Sequence, residues 1–313
     1  MIQGVSPADE RFLSALNKAE SRAAKAEAEI SSGTKLSVAS DSPDTIGPAL
    51  ALRSQLEQTL QIETNLGMFK SETDTAEQAI SNGVQSLQNA NALGAQGATE
   101  TQTPAQRQAL AGQVDGFLTQ MVASANTVSA GRYLFSGDTD QVAPYSIDAS
   151  GNVSAYSGSA STRLAMSSNG STFAIARSAQ EIFEAPGGSA LGALADLKTA
   201  LENGPTVPEG DPQYDVQYQA QTTAITSALA EMSKASDQLN QQLAFYGTVQ
   251  NNVADATSAA QTQEVNQRTQ LSNLTDADIT TDAIQLTQAN TQRDAALSAR
   301  AKLPTNTLFD YLG

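Results

Sequence analysis

The stretch LRSQLEQTLQIETNLGMFKSETDTAEQAISNGVQSL, residues 52–87, decides the fold. Its apolar and small residues recur at a mean spacing near 3.5, which is typical of one long helix that packs along one side. At ~1.5 Å per residue, such a helix of about forty residues is roughly 60 Å long. The stripe consists of Leu52, Leu56, Thr59, Ile62, Leu66, Phe69, Thr73, Ala76, Ile80, Val84 and Leu87.

Turn-forming residues precede this predicted helix, and glycines follow it. The segment VASDSPDTIG, residues 38–47, precedes Pro48, and a proline is well tolerated at the first helical position. We therefore expect the helix to begin at Pro48 and to stop at Gly94 and Gly97. A second helix is expected after the capping-box residues Thr103 and Gln106. Its stripe is Leu110, Val114, Phe117, Met121 and Val128.

The two ends of the chain repeat the helical pattern. An N-terminal seam steps by three and four residues and ends at Ser31, Ser32 and Gly33. Helical character also returns at residues 189–201, at about 216–270 and at 278–302. The N-terminal seam is Phe12, Leu16, Ala19, Ala23, Ala26 and Ile30, and the long C-terminal stripe is Ile225, Leu229, Met232, Ser236, Leu239, Leu243, Tyr246, Val249 and Val253.

The middle of the chain has a different period. Between residues 131 and 186, short alternating segments are separated by DASGN and SSNGS, and Asn169-Gly170 is a strong hairpin signal. We expect a small β-rich insert here, with strands at 145–147, 153–156, 163–166 and 172–176, and with Tyr133 and Phe135 anchoring it on the helices. A Pro/Gly-rich loop, NGPTVPEGDP, follows at residues 203–212.

The predicted fold class is therefore mainly α. We expect an elongated antiparallel helical rod built from the N- and C-terminal segments, with the small β-rich insert in the middle. The expected division of the chain is an N-terminal helical assembly segment at 1–40, N-terminal rod helices at 41–132, the β-rich insert at 133–187, C-terminal rod helices at 188–274 and a C-terminal helical assembly segment at 275–313.

Composition excludes several classes of function. The chain has 17 Lys and Arg against 33 Asp and Glu, a net charge of −16, so no nucleic-acid partner is expected. It contains no Cys, His or Trp, which removes thiolate and imidazole nucleophiles and the usual zinc ligands. We expect no catalytic residue, no cofactor site and no metal site, and thus no enzyme.

Clustered aspartates near the C-terminus could suggest a cation site or an acid–base pair. Asp276, Asp278 and Asp282 lie at a predicted helix start, where carboxylates more often act as solvated caps that favour the helix dipole. Asp138 and Asp140, in the SGDTDQ loop, are most simply turn residues. We adopt the structural interpretation for all five.

No membrane partner is expected. No window reaches the roughly 18 to 20 apolar residues that span a bilayer. Acids occupy the place in MIQGVSPADERF where a secretory peptide would be apolar, so export is expected to occur without a cleavable signal.

The terminal seams point to assembly. Within one chain, each terminal segment can find only the other as a terminal partner, and short helices with about three turns of stripe are marginal alone. We therefore expect these segments to order on packing against other copies or neighbours. The predicted assembly interface is Phe12, Leu16, Ala19, Ala23, Ile30, Ile279, Leu286, Leu297, Leu303, Leu308, Phe309 and Leu312.

Several segments together resemble the bacterial flagellin superfamily. They are ISSGTKLSVASDSPD (30–44), ALALRSQLEQ (49–58), SAGRYLFSGDTDQVAPY (129–145), AFYGTVQNNVADA (244–256) and the C-terminal NLTDADITTDAIQLTQANTQRDAALSARAKLPTNTLFDYLG. Within the superfamily, GRYLFSG and the terminal LFDYL are most similar to the hook–filament junction proteins, also called third hook-associated proteins.

This resemblance implies a structural subunit of the bacterial flagellum. Such subunits pass unfolded through the flagellar type III export apparatus, in some cases with an export chaperone, and fold on arrival outside the cell. Junction proteins form a ring of their own copies that adapts the hook to the filament. The implied partners are therefore another hook-associated protein on the hook side and flagellin on the filament side.

Other functions are open at this stage. A filament flagellin with a small outer domain is the first alternative, and self-assembly into long filaments would distinguish it. A secreted coiled-coil adhesin or translocator could share the helical stripes but would not explain GRYLFSG and LFDYL. An enzyme is the third alternative and lacks a plausible site.

Overall fold

The computed structural model describes residues 7–35 and 43–301, and helices dominate them. The helices are α1 (Pro7–Ser32), α2 (Pro43–Gly97), α3 (Pro104–Ala125), α4 (Ala179–Phe183), α5 (Ala190–Glu202), α6 (Tyr214–Thr275) and α7 (Ile279–Ala301). The strands are β1 (Val128–Ser129), β2 (Arg132–Tyr133), β3 (Leu164–Met166), β4 (Thr172–Ala174), β5 (Glu184–Ala185) and β6 (Gly188–Ser189). The prediction of a mainly α protein with a small β-rich insert is confirmed.

The strands form three two-stranded antiparallel pairs, β1–β2, β3–β4 and β5–β6. The hairpin predicted around Asn169-Gly170 is the β3–β4 pair, and Gly170 adopts a φ of 84°, which suits glycine in the turn. The segments expected as strands near 145–147 and 153–156 make only one isolated bridge, between Ile147 and Val153.

Two predicted helix boundaries are wrong. α2 begins at Pro43, not at Pro48, and Pro48 lies inside its second turn. Pro43 takes the first helical position, and the chain tolerates Pro48 so close to the helix start, where few backbone hydrogen bonds are lost. α3 ends at Ala125, so Val128, predicted on its stripe, lies instead on β1 and is 49% exposed.

The capping box of α3 is confirmed. The backbone N–H of Thr103 donates to Gln106 Oε1 at 2.8 Å, and the backbone N–H of Gln106 donates to Thr103 Oγ1 at 3.3 Å. These two bonds satisfy donors that the start of a helix otherwise leaves free.

Gly94 does not stop α2, which continues to Gly97. A Cβ atom on Gly94 would lie 2.6 Å from Leu229 Cδ2 and 3.0 Å from Leu197 Cδ1. One on Gly97 would lie 2.5 Å from Leu201 Cδ2. Both glycines therefore allow α5 and α6 to pack closely on α2.

The chain divides into two compact units. Unit 1 comprises the described residues of 1–58 and 263–313, and unit 2 comprises residues 59–262. This division is coarser than the five segments expected from the sequence, which stay a prediction.

The main core lies in unit 2. It joins apolar residues of α2, α3, α5 and α6 with the aromatic residues of the insert. A second, smaller cluster holds the β3–β4 hairpin against α2 and α6. Its buried members are Leu66, Ala165, Ile175, Val249, Val253 and Ala256.

Unit 1 is built around the antiparallel pair of α1 and α7. Where α1 ends and α7 begins, the backbone N–H of Lys35 donates to the carbonyl of Thr275 at 2.7 Å, and that of Ala277 donates to the carbonyl of Gly33 at 3.0 Å. Gly33 has a φ of 70°, which ends α1 as the sequence predicted. The terminal segments therefore partner each other within one chain.

Candidate assembly surface

Small residues line the contact between α1 and α7. Ala19 and Ala26 of α1 are 4% and 2% exposed, and Ala289 of α7 is 2% exposed. Side chains of this size let two helix backbones approach closely. The remaining predicted seam residues that the structure describes on this contact are half-buried, namely Phe12, Leu16, Ala23, Ile30 and Leu286.

An ion pair closes the far end of this contact. Arg300 Nη2 of α7 lies 2.6 Å from Asp9 Oδ1 of α1, and the Arg300 guanidinium lies 5.9 Å from the centre of the Phe12 ring. A cation near the C-terminus of α7 also interacts favourably with the helix dipole. Both ends of α1 and α7 are thus joined by polar contacts.

Two acidic side chains meet near the start of α7. Asp282 is 6% exposed, and its Oδ2 is buried without a hydrogen-bond partner. Glu29 of α1 contacts Asp282, and Lys25 Nζ lies 3.7 Å from Glu29 Oε1. Burial raises the pKa of Glu29, Lys25 opposes this shift, and the Asp282 carboxyl adds a smaller contribution that also raises it.

Of the other two aspartates of this segment, Asp278 caps the start of α7 and Asp276 accepts hydrogen bonds from side chains at the end of α6. Asp278 accepts hydrogen bonds from the backbone N–H groups of Thr280 and Thr281, both at 3.1 Å, and from the Thr281 hydroxyl at 2.7 Å. These bonds lower the pKa of Asp278, and bonds from Ser272 and Thr275 lower that of Asp276. The structural interpretation is confirmed for Asp278, but Asp282 is buried in the helix contact and is not a solvated cap.

Some predicted interface residues remain exposed in the single chain. Ile279 and Leu297 of α7 are each 48% exposed. They are eighteen positions apart, about five helical turns, so they lie along one line of α7. Leu303, Leu308, Phe309 and Leu312 lie outside the described residues.

Sequence reasoning missed two exposed apolar residues on α1 and α7. Leu13 of α1 is 48% exposed and Ile284 of α7 is 54% exposed. Neither residue is part of the predicted seam, and an exposed apolar residue beside a seam is a signal that a helix has a further contact surface. We name the four such residues of α1 and α7, Leu13, Ile279, Ile284 and Leu297, the exposed apolar set of unit 1. Leu50 of α2 and Val265 of α6, 59% and 61% exposed, also lie in unit 1 but are not part of this set.

In unit 2, ion pairs fasten the insert to α2. Glu72 of α2 is 8% exposed and accepts hydrogen bonds from Arg132 of β2 at 2.6 Å and from Arg163, just before β3, at 2.5 Å. Arg132 also lies 3.5 Å from Asp140, so Asp140 is more than a turn residue. Asp138 accepts hydrogen bonds from Thr162, which tie its loop to the rest of the insert.

An aromatic cluster holds the insert on the helical core. The Phe135 ring lies 5.9 Å from that of Phe183 and 6.4 Å from that of Tyr246, in edge-to-face arrangements. Phe135 is fully buried, so its predicted anchoring role is confirmed. Tyr133, the other predicted anchor, is half-buried on β2 and pairs with Val128 across the hairpin.

Within residues 7–35 and 43–301, no group of three or more acidic, His or Cys side chains is arranged to hold a metal ion. No helix in the same ranges combines the length and the apolar character that crossing a membrane requires.

The chain matches two family models. The model of the bacterial flagellin N-terminal helical region matches residues 8–140, and that of the bacterial flagellin C-terminal helical region matches residues 221–312. Together they span well over half of the chain, including all of α7 and all of α1 after its first residue. No curated protein matches the chain significantly.

Solved structures with the same fold come from flagellar proteins. A Vibrio parahaemolyticus protein, provisionally assigned as a flagellar hook-associated protein, has a TM-score of 0.63 at 19% identity, over 75% of this chain and 100% of its own. Flagellar hook-associated protein-3 from Legionella pneumophila has a TM-score of 0.63 at 15% identity, over 72% and 98%. FlgL from Xanthomonas campestris has a TM-score of 0.58 at 17% identity, over 73% and 100%.

The identities are low, so these structures establish the shared fold. The family follows from the two matched regions, which place the α1–α7 pair and most of α2, α3 and α6 in flagellin-type helical segments. The chain belongs to the bacterial flagellin family.

Proposed function

We propose that this protein is a structural subunit of the bacterial flagellum and forms the hook–filament junction. The observation that supports this most directly is its fold. Hook-associated proteins share that fold over almost their whole length, while the chain itself has flagellin-type terminal helices. We further propose that its role is assembly and not catalysis.

The proposed partners follow from that position. Copies of the chain form a ring, with another hook-associated protein on the hook side and flagellin on the filament side. The subunit reaches this place outside the cell through the flagellar export apparatus, and an export chaperone is a further proposed partner.

Labelling of isolated flagella tests the position. Antibody against this protein, detected by immunogold electron microscopy, should mark a single band at the hook end of each filament. Continuous labelling along the filament would contradict the proposal and would support the alternative, a filament flagellin with a small outer domain. The match to the flagellin family models supports that alternative as well.

We propose that the exposed apolar set of unit 1 forms part of the contact with neighbouring subunits. These residues are about half exposed in the single chain, and burying one Leu or Ile side chain contributes roughly 1.5–3 kcal/mol. The four C-terminal residues Leu303, Leu308, Phe309 and Leu312 are proposed to extend this contact.

A double substitution tests the contact. Ile279→Asp with Leu297→Asp should leave the chain folded, because both side chains are already about half exposed in the single chain, yet it should prevent stable attachment. Cells with this variant should make hooks and shed flagellin into the medium.

Val142→Asp is the matched control, because Val142 is also 48% exposed but belongs to unit 2. Cells with that variant should grow normal filaments. Normal filaments on the double variant would remove Ile279 and Leu297 from the proposed contact.

A further inference from the structure

The turn of the β3–β4 hairpin contains the dipeptide Asn169-Gly170. Asn169, Gly170 and Ser171 are all exposed, and the backbone N–H of Gly170 donates to the carbonyl of Ser167 at 2.9 Å. Glycine leaves its backbone nitrogen unhindered, and a Cβ at Gly170 would meet no atom within 4 Å. Exposed turns open locally at a small cost in free energy, and the Gly170 nitrogen is then free to approach the Asn169 side-chain amide.

Two donors of Ser171 hold the oxygen of this side-chain amide. The backbone N–H of Ser171 donates to Asn169 Oδ1 at 2.9 Å, and the Ser171 hydroxyl donates to the same oxygen at 2.7 Å. When a nucleophile attacks an amide carbon, negative charge develops on the oxygen, and donors already in place stabilise the transition state. Ser171 is therefore placed to act on Asn169 as an oxyanion hole acts in acyl transfer.

We propose that Asn169 is a site of self-catalysed deamidation, with Ser171 stabilising the developing oxyanion. The backbone nitrogen of Gly170 loses its proton to solvent and forms a bond to Asn169 Cγ. The bond between Cγ and Nδ2 breaks, and Nδ2 takes a proton from water and leaves as ammonia. The product is a five-membered succinimide ring. Water then opens the ring at either of its two carbonyls, which gives aspartate or isoaspartate at position 169.

Either product changes the hairpin. Each adds one negative charge to a chain whose net charge is already −16. Isoaspartate also routes the backbone through the side-chain carbons, which adds one backbone atom to the turn. Because β3 and β4 have only three residues each and pair Met166 with Thr172 next to the turn, this insertion should weaken the pairing at that end.

A second Asn-Gly pair, Asn82-Gly83, lies inside α2. A succinimide ring fixes the backbone torsion of its asparagine away from the helical value, so the ring cannot close at Asn82 without breaking the helix. Gly83 is also buried, and a Cβ there would lie 3.1 Å from Met121 Sδ. The helix therefore protects Asn82.

A third pair, Asn203-Gly204, follows α5. The backbone N–H of Asn203 donates to the carbonyl of Thr199 at 3.0 Å, and that of Gly204 donates to the carbonyl of Glu202 at 2.9 Å. Among the described residues, no donor contacts the Asn203 side chain. This pair therefore shares the Asn-Gly chemistry of the hairpin turn but lacks the two donors to the amide oxygen.

Ageing of the purified full-length chain in mildly alkaline buffer tests the site. Peptide mapping by mass spectrometry follows the exchange of the amide NH2 for OH at each asparagine, and an isoaspartyl methyltransferase assay counts isoaspartate. The same chain unfolded in urea gives the reference rate of each Asn-Gly pair. The ratio of folded to unfolded rate should be at least roughly tenfold larger at Asn169 than at Asn82, and also larger than at Asn203.

Variants of the turn test the role of Ser171. Ser171→Ala should lower the rate at Asn169 in the folded chain roughly threefold to tenfold, because it removes one of the two donors to Oδ1. Ser171→Thr keeps a hydroxyl and should retain the parent rate. Ser168→Ala is the matched control and should also retain it, since it removes a hydroxyl from the same turn but neither donor.

Equal ratios at all three Asn-Gly pairs would overturn the proposal. So would a rate in Ser171→Ala that matches or exceeds the parent's, or a folded chain that stays unchanged at Asn169 while the chain in urea converts. These readouts involve a single chain and no assembly, so the deamidation site and the proposed junction role can fail independently.

Discussion

At the scale of single residues, the Glu72 carboxylate of unit 2 binds two arginine side chains at once. It is mostly buried and joins α2 to two arginines that flank different strands of the insert. Removing one partner of such a cluster leaves the remaining charges without compensation, which costs more than the loss of an exposed pair. The insert therefore depends on one side chain of the longest N-terminal helix.

We expect Glu72→Gln to lower the free energy of unfolding of unit 2 by about 1–3 kcal/mol, because Arg132 and Arg163 lose their shared acceptor. Urea denaturation followed by circular dichroism measures the change. Glu231→Gln, which removes a surface pair with Lys234, is the control and should change stability by less than about 0.5 kcal/mol. Equal effects of both substitutions would mean that the Glu72 cluster contributes no more to the free energy of unfolding than an exposed ion pair does.

Three tyrosines at the root of the insert give a second prediction at this scale. Burial raises the pKa of Tyr156 to about 12, and burial raises the pKa values of Tyr145 and Tyr246 as well. The folded chain keeps these protons longer than the unfolded chain, so its stability should fall as the pH rises above the ordinary Tyr value of about 10.

An alkaline titration followed by near-UV absorbance checks this expectation. Of the seven tyrosines of the chain, these three should ionise late and together with loss of the folded signal in circular dichroism. Ionisation of all seven in one step at the ordinary pKa, with the fold intact, would contradict the burial of the three rings.

At the scale of elements, α2 shows how a helix can keep a glycine in its interior. Gly94 costs helix stability, by up to about 1 kcal/mol relative to Ala. It is retained in a position where Leu197 of α5 and Leu229 of α6 approach the backbone. The space that glycine leaves open is filled by these two side chains.

We expect Gly94→Ala to destabilise unit 2 by about 1–3 kcal/mol, because overpacking against Leu197 and Leu229 outweighs the gain in helix propensity. Gly112→Ala on α3 is the matched control. Its Cβ would meet no atom within 4 Å, so it should stabilise by up to about 1 kcal/mol. Midpoints of urea unfolding measure both, and a stabilising Gly94→Ala would refute the packing argument.

The individual helices and turns differ in how well the sequence predicts them. The helix that ends at Gly33, the capping box at Thr103 and the hairpin around Gly170 follow from residues within a few positions of each other, and all three were predictable. The start of α2 was not predictable in this way. Pro43 and Pro48 are both acceptable at the first position of a helix, and the neighbouring residues do not favour one over the other.

At the scale of the whole molecule, negative charge is distributed unevenly. Residues 59–262 contain 19 acidic and 7 basic residues, whereas residues 1–58 together with 263–313 contain 14 acidic and 10 basic ones. Copies of the chain therefore repel each other chiefly through unit 2. The nearly balanced unit 1 carries the apolar residues proposed for the subunit contact.

We expect added salt to promote association of purified full-length chains, because salt screens the repulsion between acidic surfaces but does not weaken apolar burial. Sedimentation velocity at about 0.02 M and about 0.3 M sodium chloride measures the effect, since the Debye length falls from about 20 Å to about 6 Å. The Ile279→Asp and Leu297→Asp variant is the control and should stay monomeric in both. Association that weakens with salt would indicate that ion pairs hold the copies together.

The sequence by itself determined the helical stripes, the β-rich middle and the absence of catalytic side chains of the Cys and His type. Each of these depends on periodicity or composition, which a chain carries locally. Only the tertiary structure decided that Asp282 is buried beside Glu29, that Glu72 binds two arginines, and that Gly94 accommodates two leucines. Burial and charge pairing depend on residues far apart in the chain, so neighbouring residues alone cannot specify them.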